Sequence, residues 1–236
     1  MHDAKHDDPA RPSKAWPALV ITRPTSGETA NRLMTRVLNR HGTALRTRPV
    51  VCTIGNDRSP IWADANALPF ADASIADVQL VNVLEHIRDD EQLIAELSRI
   101  LAPGGTLRIR VPNSGPLAGF DSYNLYHYLV DVTHRGERPH EVDEIGWRRH
   151  YGLNDLALLL GPDRFAIARA ESSGVGAAEL ANLGAMGLFR WLTTDEARYR
   201  QARRITSAIA RAGSRIPTAS YGFWLEIVAI RLPPRP

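Results

Sequence analysis

The chain has 236 residues, 44% of them hydrophobic and 23% charged, which suits one generous soluble domain or one domain with an elaborated lid. Its net charge of +3 is carried almost wholly by arginine, with lysine only at Lys5 and Lys14, and so small an excess does not select nucleic acid as a partner. The single cysteine, Cys52, excludes an internal disulfide framework, no apolar run approaches the ~20 residues of a membrane span, and the acidic N-terminus is no signal peptide, so a cytoplasmic protein is expected.

Residues 1–16 read as a flexible tail and 17–236 as the folded domain. Ala18 to Thr22 is a short β-branched run, hence a buried strand ended by Pro24. Thr25 or Ser26 can cap a helix, and Leu33, Met34, Val37 and Leu38 recur at helical spacing before His41-Gly42. Pro49 to Ile54 is a second strand, which completes a parallel crossover unit. Ile61 to Ala63 is a short third strand running into Asp64, and Val78 to Val83 a fourth. Asp89 or Asp90 starts a helix whose Leu93, Ile94, Leu97, Ile100 and Leu101 form one stripe. Pro103-Gly104-Gly105 stops that helix and turns the chain.

Thr106 to Val111 alternates, so it is a strand with one polar face. Residues 114–151 hold many aromatics and histidines and few clean periods. A short helix over 154–160 and a strand over 165–170 follow. Residues 177–192 and 195–212 read as two helices, the first apolar and the second basic on its outer face. Phe223 to Leu232 is the last strand. Strands alternating with helices predict an α/β fold with a doubly wound sheet, and 114–151 and 175–215 are expected as lid insertions.

In such a sheet, ligands bind beyond the carboxyl ends of the strands. Asn56-Asp57 follows the second strand and reads either as a ligand-binding acid or as a turn. Asp64-Ala65 follows the third, and Asn82-Val83-Leu84-Glu85-His86 the fourth. His86 suits acid or base work near neutrality, or simply begins the next helix. The segment Tyr123 to Tyr151 is a second candidate site, where aromatics and histidines suit a polar or ring-bearing ligand, or form an ordered lid with solvated charges. A metal held by His127, His134, His140 and Glu141 is disfavoured, because no tight ligand spacing is present.

The run Asp64-Ala65 with Leu68-Pro69-Phe70, followed by Arg99-Ile-Leu-Ala-Pro-Gly-Gly105, resembles the class I S-adenosylmethionine (SAM)-dependent methyltransferases of the type 11 group, which act on small molecules. The resemblance implies a Rossmann-like, mostly parallel sheet with an antiparallel last strand and helical lid insertions. It implies SAM as cofactor, with Asp57 on the ribose hydroxyls, Asp64 and the Ala65 amide on the adenine edge, and Leu68, Asn82 and Leu84 completing the cofactor-binding set. His86, His127 and His134 are the candidate bases. The family's glycine-rich loop after strand one is reduced here to Thr22-Arg23-Pro24-Thr25-Ser26-Gly27-Glu28, or, in a second alignment, to Gly55-Asn56-Asp57. The family also opens its fourth strand with Ser-Phe-Asp, whereas Asp77 is displaced here by one position and would face the other way. The implied activity is methyl transfer to a small molecule or cell-envelope precursor. The alternative is a methyltransferase-like scaffold that does not bind SAM. A homodimer contact and peripheral membrane contact through the 177–212 helices stay open, without stable membrane insertion.

Overall fold

The structure, a computed structural model, describes residues 19–22, 50–54, 62–63, 65, 67–133, 138, 142–143, 146–192, 195, 197–202, 204, 206, 218 and 221–234. The expected helix over 25–41 and the positions Asp57, Asp64 and His134 lie outside them.

The strands are β1 (Leu19–Thr22), β2 (Val50–Ile54), β3 (Trp62–Ala63), β4 (Ile75–Val81), β5 (Leu101–Pro112), β6 (Phe165–Ser173) and β7 (Trp224–Arg231). The helices are α1 (Asp90–Ile100), α2 (Ser122–Thr133), α3 (Leu153–Leu160) and α4 (Ala177–Leu192). The strands form one 7-stranded sheet in the order β3-β2-β1-β4-β5-β7-β6. The pairs from β3 to β5 are parallel, and β7 runs antiparallel to both β5 and β6. This is the Rossmann-like arrangement with a reversed last strand. From β1 the chain steps outward to β2 and β3, then returns to add β4 on the other side. The reversal makes a topological switch point between β1 and β4, where Thr22 lies opposite Val81.

The sheet has a dry face and a wet face. Side chains alternate along each strand, so Val78 and Leu80, Leu107, Ile109 and Val111, and Leu225, Ile227 and Ala229 share one face and are buried. Helices α1 and α3 cover them with Leu93, Ile94, Leu97, Ile100, Leu156 and Leu160. Each such leucine or isoleucine contributes roughly 1.5–3 kcal/mol of gross burial energy. The Asp89 side chain accepts from the Gln92 amide and so caps α1, while Asp90 and Glu91 sit favourably in its first turn. The opposite face of β4, β5, β7 and β6 carries Gln79, Arg108, Arg110, Glu226, Arg169 and Glu171 in adjoining registers. A second apolar cluster joins α2 to α4 through Tyr123, Tyr126, Val130, Val142, Ala185, Met186 and Tyr199.

Three strands depart from the sequence reading. Strand β4 runs from Ile75 to Val81, beginning and ending earlier than the expected 78–83. Ile75 is recruited because it pairs with Leu101, and the strand stops where Asn82 turns to φ 51°, a left-handed conformation that asparagine tolerates better than most residues. Strand β5 starts at Leu101, before the Pro-Gly-Gly turn rather than after it. Leu101 faces Ile75 while Thr106 faces Asp77, so residues 102–105 bulge out of the ladder. A Cβ on Gly105 would stand 2.8 Å from the Ala102 carbonyl oxygen and 3.0 Å from that of Ala76, so the bulge closes only on glycine. Strand β6 also extends to Ser173, beyond the expected 170, through its pairing with β7.

Among the described residues no helix is long and apolar enough to cross a membrane.

Candidate functional site: the crevice at the switch point

The loop after β4 begins at the carboxyl end of a central strand, beside the switch point. Asn82 is half-buried, and among the described residues its buried Oδ1 has no hydrogen-bond partner. The left-handed turn and the unmet acceptor make Asn82 a candidate ligand contact at the carboxyl end of a central strand. Val83 and Leu84 then enter the core, and Leu84 to His86 form one short 3₁₀ turn. Glu85 is buried, and its Oε1 lies 3.9 Å from Nε2 of His86, which is 10% exposed.

The loop after β3 is held from behind. Ala65 and Leu68 are buried in the main core. The Leu68 amide donates to Oε2 of Glu96 at 3.0 Å. Arg99, the first residue of the family's turn motif, donates to the Leu68 carbonyl at 3.0 Å and to the Phe70 carbonyl at 2.8 Å. It also bonds Asp72 at 2.7 Å and both oxygens of Glu96 at 3.0 and 2.8 Å. A guanidinium presents its N–H groups in a fixed fork, so one side chain can bridge two carbonyls and two carboxylates. The hydrogen bonds from Arg99 hold the Glu96 carboxyl below its ordinary range, against the smaller opposing effect of burial. The Arg99 motif thus shapes the loop next to Asp64 as well as the bulge after α1.

A strap over residues 148–151 crosses the ends of β4 and β5. The Arg149 amide donates to the Glu85 carbonyl at 3.1 Å, and the Tyr151 amide to the Pro112 carbonyl at 3.0 Å. Tyr151 forms a bridge with Asn113. Its hydroxyl donates to the Leu84 carbonyl at 3.2 Å and to Asp90 Oδ2 at 2.9 Å. Burial, reinforced by the Asp90 carboxylate, pushes the Tyr151 phenol well above its ordinary range, so it stays a donor. Arg149 reaches the carbonyls of Ile87 and Arg88 and the Asp90 carboxylate.

Alternate strap residues turn toward α2 and α4. Arg148 is 7% exposed, with Nη2 2.7 Å from Asp121 Oδ1 and 3.1 Å from Glu179 Oε2. Its guanidinium lies 4.6 Å from the Tyr123 ring centre. Its backbone is clasped by Asn124, which accepts from the Arg148 amide and donates to its carbonyl, both at 2.8 Å. Asp121 caps α2 by accepting from the amides of Tyr123 and Asn124, and Nε2 of His150 stands 3.2 Å from its Oδ2. Burial raises the Asp121 carboxyl, but His150, Arg148 and the Asn124 amide together outweigh burial and bring it down to about 2. Ser122 donates to Glu179 from its amide and its hydroxyl. Arg148 and His150 therefore belong to a buried ion cluster rather than to a solvated lid surface.

The sequence-derived candidates divide accordingly. Asn82, Leu84 and His86 stand together on the post-β4 loop, with Ala65 and Leu68 behind the post-β3 loop. His127 lies on α2 in the lid, buried, with Nε2 3.1 Å from the Val142 carbonyl and its ring stacked on Trp147 at 5.7 Å. Among the described residues no group of His, Cys, Asp and Glu is arranged to hold a metal ion. Asp77, displaced by one position from the family pattern, has its Oδ1 3.7 Å from Nε of Arg108 on the wet face. The sequence reading missed Arg99 as a loop organiser and Arg148, His150 and Tyr151 as strap residues. The alternation of Arg148-Arg149-His150-Tyr151 was the only local signal, since their partners are far away in sequence.

Residues 25–109 match the family of a methyltransferase domain. That match covers the first part of the sheet, and it agrees with the switch point and the reversed last strand. The fold is that of the class I methyltransferases. Among solved structures, a protein described as a SAM-dependent methyltransferase, possible histamine N-methyltransferase, from Thermotoga maritima is 13% identical at a TM-score of 0.50, covering 92% of this chain and 82% of its own. A geranyl diphosphate methyltransferase solved in complex with SAM is 14% identical at a TM-score of 0.49, covering 94% and 80%. A loganic acid methyltransferase is 11% identical at 0.48, covering 92% and 85%. No match was found among curated proteins. Identities this low establish a shared methyltransferase fold and leave the acceptor to chemistry.

Proposed function

We propose that this methyltransferase-fold chain binds SAM at the β1/β4 switch point and transfers its methyl group to a small molecule. The observation that carries the proposal is Asn82, strained and with a buried orphan acceptor at the carboxyl end of β4. The residues fit the cofactor. SAM carries an ammonium group, ribose hydroxyls and an adenine amino group, all donors that need acceptors. Asn82 Oδ1 supplies one on the post-β4 loop. Asp57 and Asp64 are assigned to the ribose and the adenine, and the Ala65 amide to the adenine ring. When bound, the cofactor supplies a methyl group already activated on a sulfonium.

The protein's own work is placement. The Arg99–Glu96 pair fixes the post-β3 loop, and the strap fixes the post-β4 loop from above, so both walls are preorganised. The buried lid cluster seals the far side and excludes water. His86 Nε2 stands on the loop where an acceptor would meet the methyl group, and it is assigned to take the acceptor's proton. Arg149 and Tyr151 position that loop without touching the acceptor.

Calorimetric titration with S-adenosylhomocysteine tests the reading. Saturable one-site binding is expected, weakened at least tenfold by Asp64→Ala. Absence of binding at millimolar ligand overturns the enzyme reading in favour of a scaffold, and unchanged affinity in Asp64→Ala overturns the adenine assignment.

A further inference from the structure

The wet face of the sheet holds a groove that the cofactor crevice does not use. It is lined by side chains from Gln79 of β4, Arg108 and Arg110 of β5, Glu226 of β7, and Arg169 and Glu171 of β6. It encloses about 560 Å³, open solvent included. Cross-strand register sets these groups side by side. Gln79 faces Arg108 and Arg108 faces Val228, which faces Arg169. One pair further along, Arg110 faces Glu226, which faces Glu171.

Burial inside this groove is uneven, and that unevenness is informative. Arg169 is well exposed and paired with Glu171 at the mouth, with its Nε donating at 2.7 Å. Arg110 is 7% exposed, stacked at 4.6 Å over the Trp224 ring. Its Nε lies 3.2 Å from Glu226 but makes no aligned hydrogen bond, and among the described residues its buried Nη2 has no hydrogen-bond partner. Gln79 is 2% exposed with its Oε1 in the same condition. A guanidinium has only donors, and a charged donor left buried and unmet is destabilising. Each of the three guanidiniums stands beside one carboxylate, Arg108 by Asp77, Arg110 by Glu226 and Arg169 by Glu171, so the unmet donor is local to Arg110. What Arg110 Nη2 lacks among the described residues is an acceptor oxygen in line with its N–H groups.

We propose that this groove is a binding site for a small oxyanion, a phosphate or carboxylate group of a polar molecule, seated on Arg110 and entered past Arg169. The fork of Arg110 matches an oxyanion held by two parallel N–H bonds, and Trp224 fixes its plane. The Gln79 carbonyl oxygen accepts from a hydroxyl or amine of the same ligand. The groove lies on the face of the sheet, whereas the crevice lies at the strand ends, so the two sites fill independently.

Calorimetric titration of the full-length chain with sodium phosphate and with sodium malonate, at fixed ionic strength, tests this. Saturable binding of either anion is expected, at least tenfold weaker in Arg110→Gln, with S-adenosylhomocysteine affinity unchanged in that variant. Arg169→Gln is a second arm: its side chain is exposed, so folding is unaffected, and a several-fold loss of anion affinity is expected. No saturable binding by the native chain overturns the proposal. So does native anion affinity in every variant that folds, which would mark a general ionic effect. Loss of cofactor binding in the native chain would count against the crevice and leave this site standing.

Discussion

Replacing Arg148 by methionine probes the buried cluster that joins strap to lid. The substitution keeps roughly the apolar stem and removes the charge. Asp121 and Glu179, 1% and 2% exposed, would then face each other without their shared cation. Breaking a buried ion pair from one side costs about 3–5 kcal/mol. The Asp121 carboxyl gives a second route to the size. It is lowered from 3.8 to about 2, which corresponds to about 2 kcal/mol of stabilisation at neutral pH. Because the folded value lies below the unfolded one, that stabilisation is present above pH ~4 and fades as pH falls toward ~2. Urea unfolding at pH 7 should show Arg148→Met less stable by about 3–5 kcal/mol, and the gap to the native chain should narrow at pH 4 and below, as the carboxylates take up protons. The double variant Arg148→Met with Glu179→Gln should recover part of the loss, because the two residues share one network. A loss under about 1 kcal/mol, or a gap constant from pH 7 to pH 3.5, would refute the reasoning, since it would mean the cluster behaves as an exposed pair.

Other substitutions separate the remaining contacts. Gly105→Ala should destabilise by about 1–3 kcal/mol in the same assay, because the new methyl meets two backbone oxygens that cannot swing aside. Tyr151→Phe removes the bonds to Leu84 and Asp90 and should cost about 1 kcal/mol, with weaker S-adenosylhomocysteine binding in calorimetry through a looser post-β4 loop. Arg99→Ala should leave the α1 and β5 amides protected from hydrogen exchange while exposing those of 68–73, because its bonds are to that loop.

Much of the sheet was legible because its strands carry their own pattern. The alternation of Thr106 to Val111 foretold a strand with one polar face, and the structure divides those residues between the dry core and the charged groove. The stripe of Leu93, Ile94, Leu97 and Ile100 with the Asp89 cap likewise foretold α1. The starts of β4 and β5 were not legible, because Ile75 and Leu101 become strand only by pairing with each other across the Pro-Gly-Gly bulge. The Asp64-to-Phe70 run pointed to the loop after β3, but what holds that loop, Arg99 and Glu96, lies a helix away. Arg148 looked like one of many lid charges. Its burial depends on Asp121 and Glu179, brought together only when α2, α4 and the strap pack, and no local period records that.

The central claim is that the cofactor sits at the carboxyl ends of β1 and β4, and hydrogen exchange with and without S-adenosylhomocysteine tests it most directly. Ligand should slow exchange in peptides covering 64–70 and 82–89 and leave 165–173 and 224–231 unchanged. Protection confined to the latter two segments, or none at saturating ligand, would contradict the account.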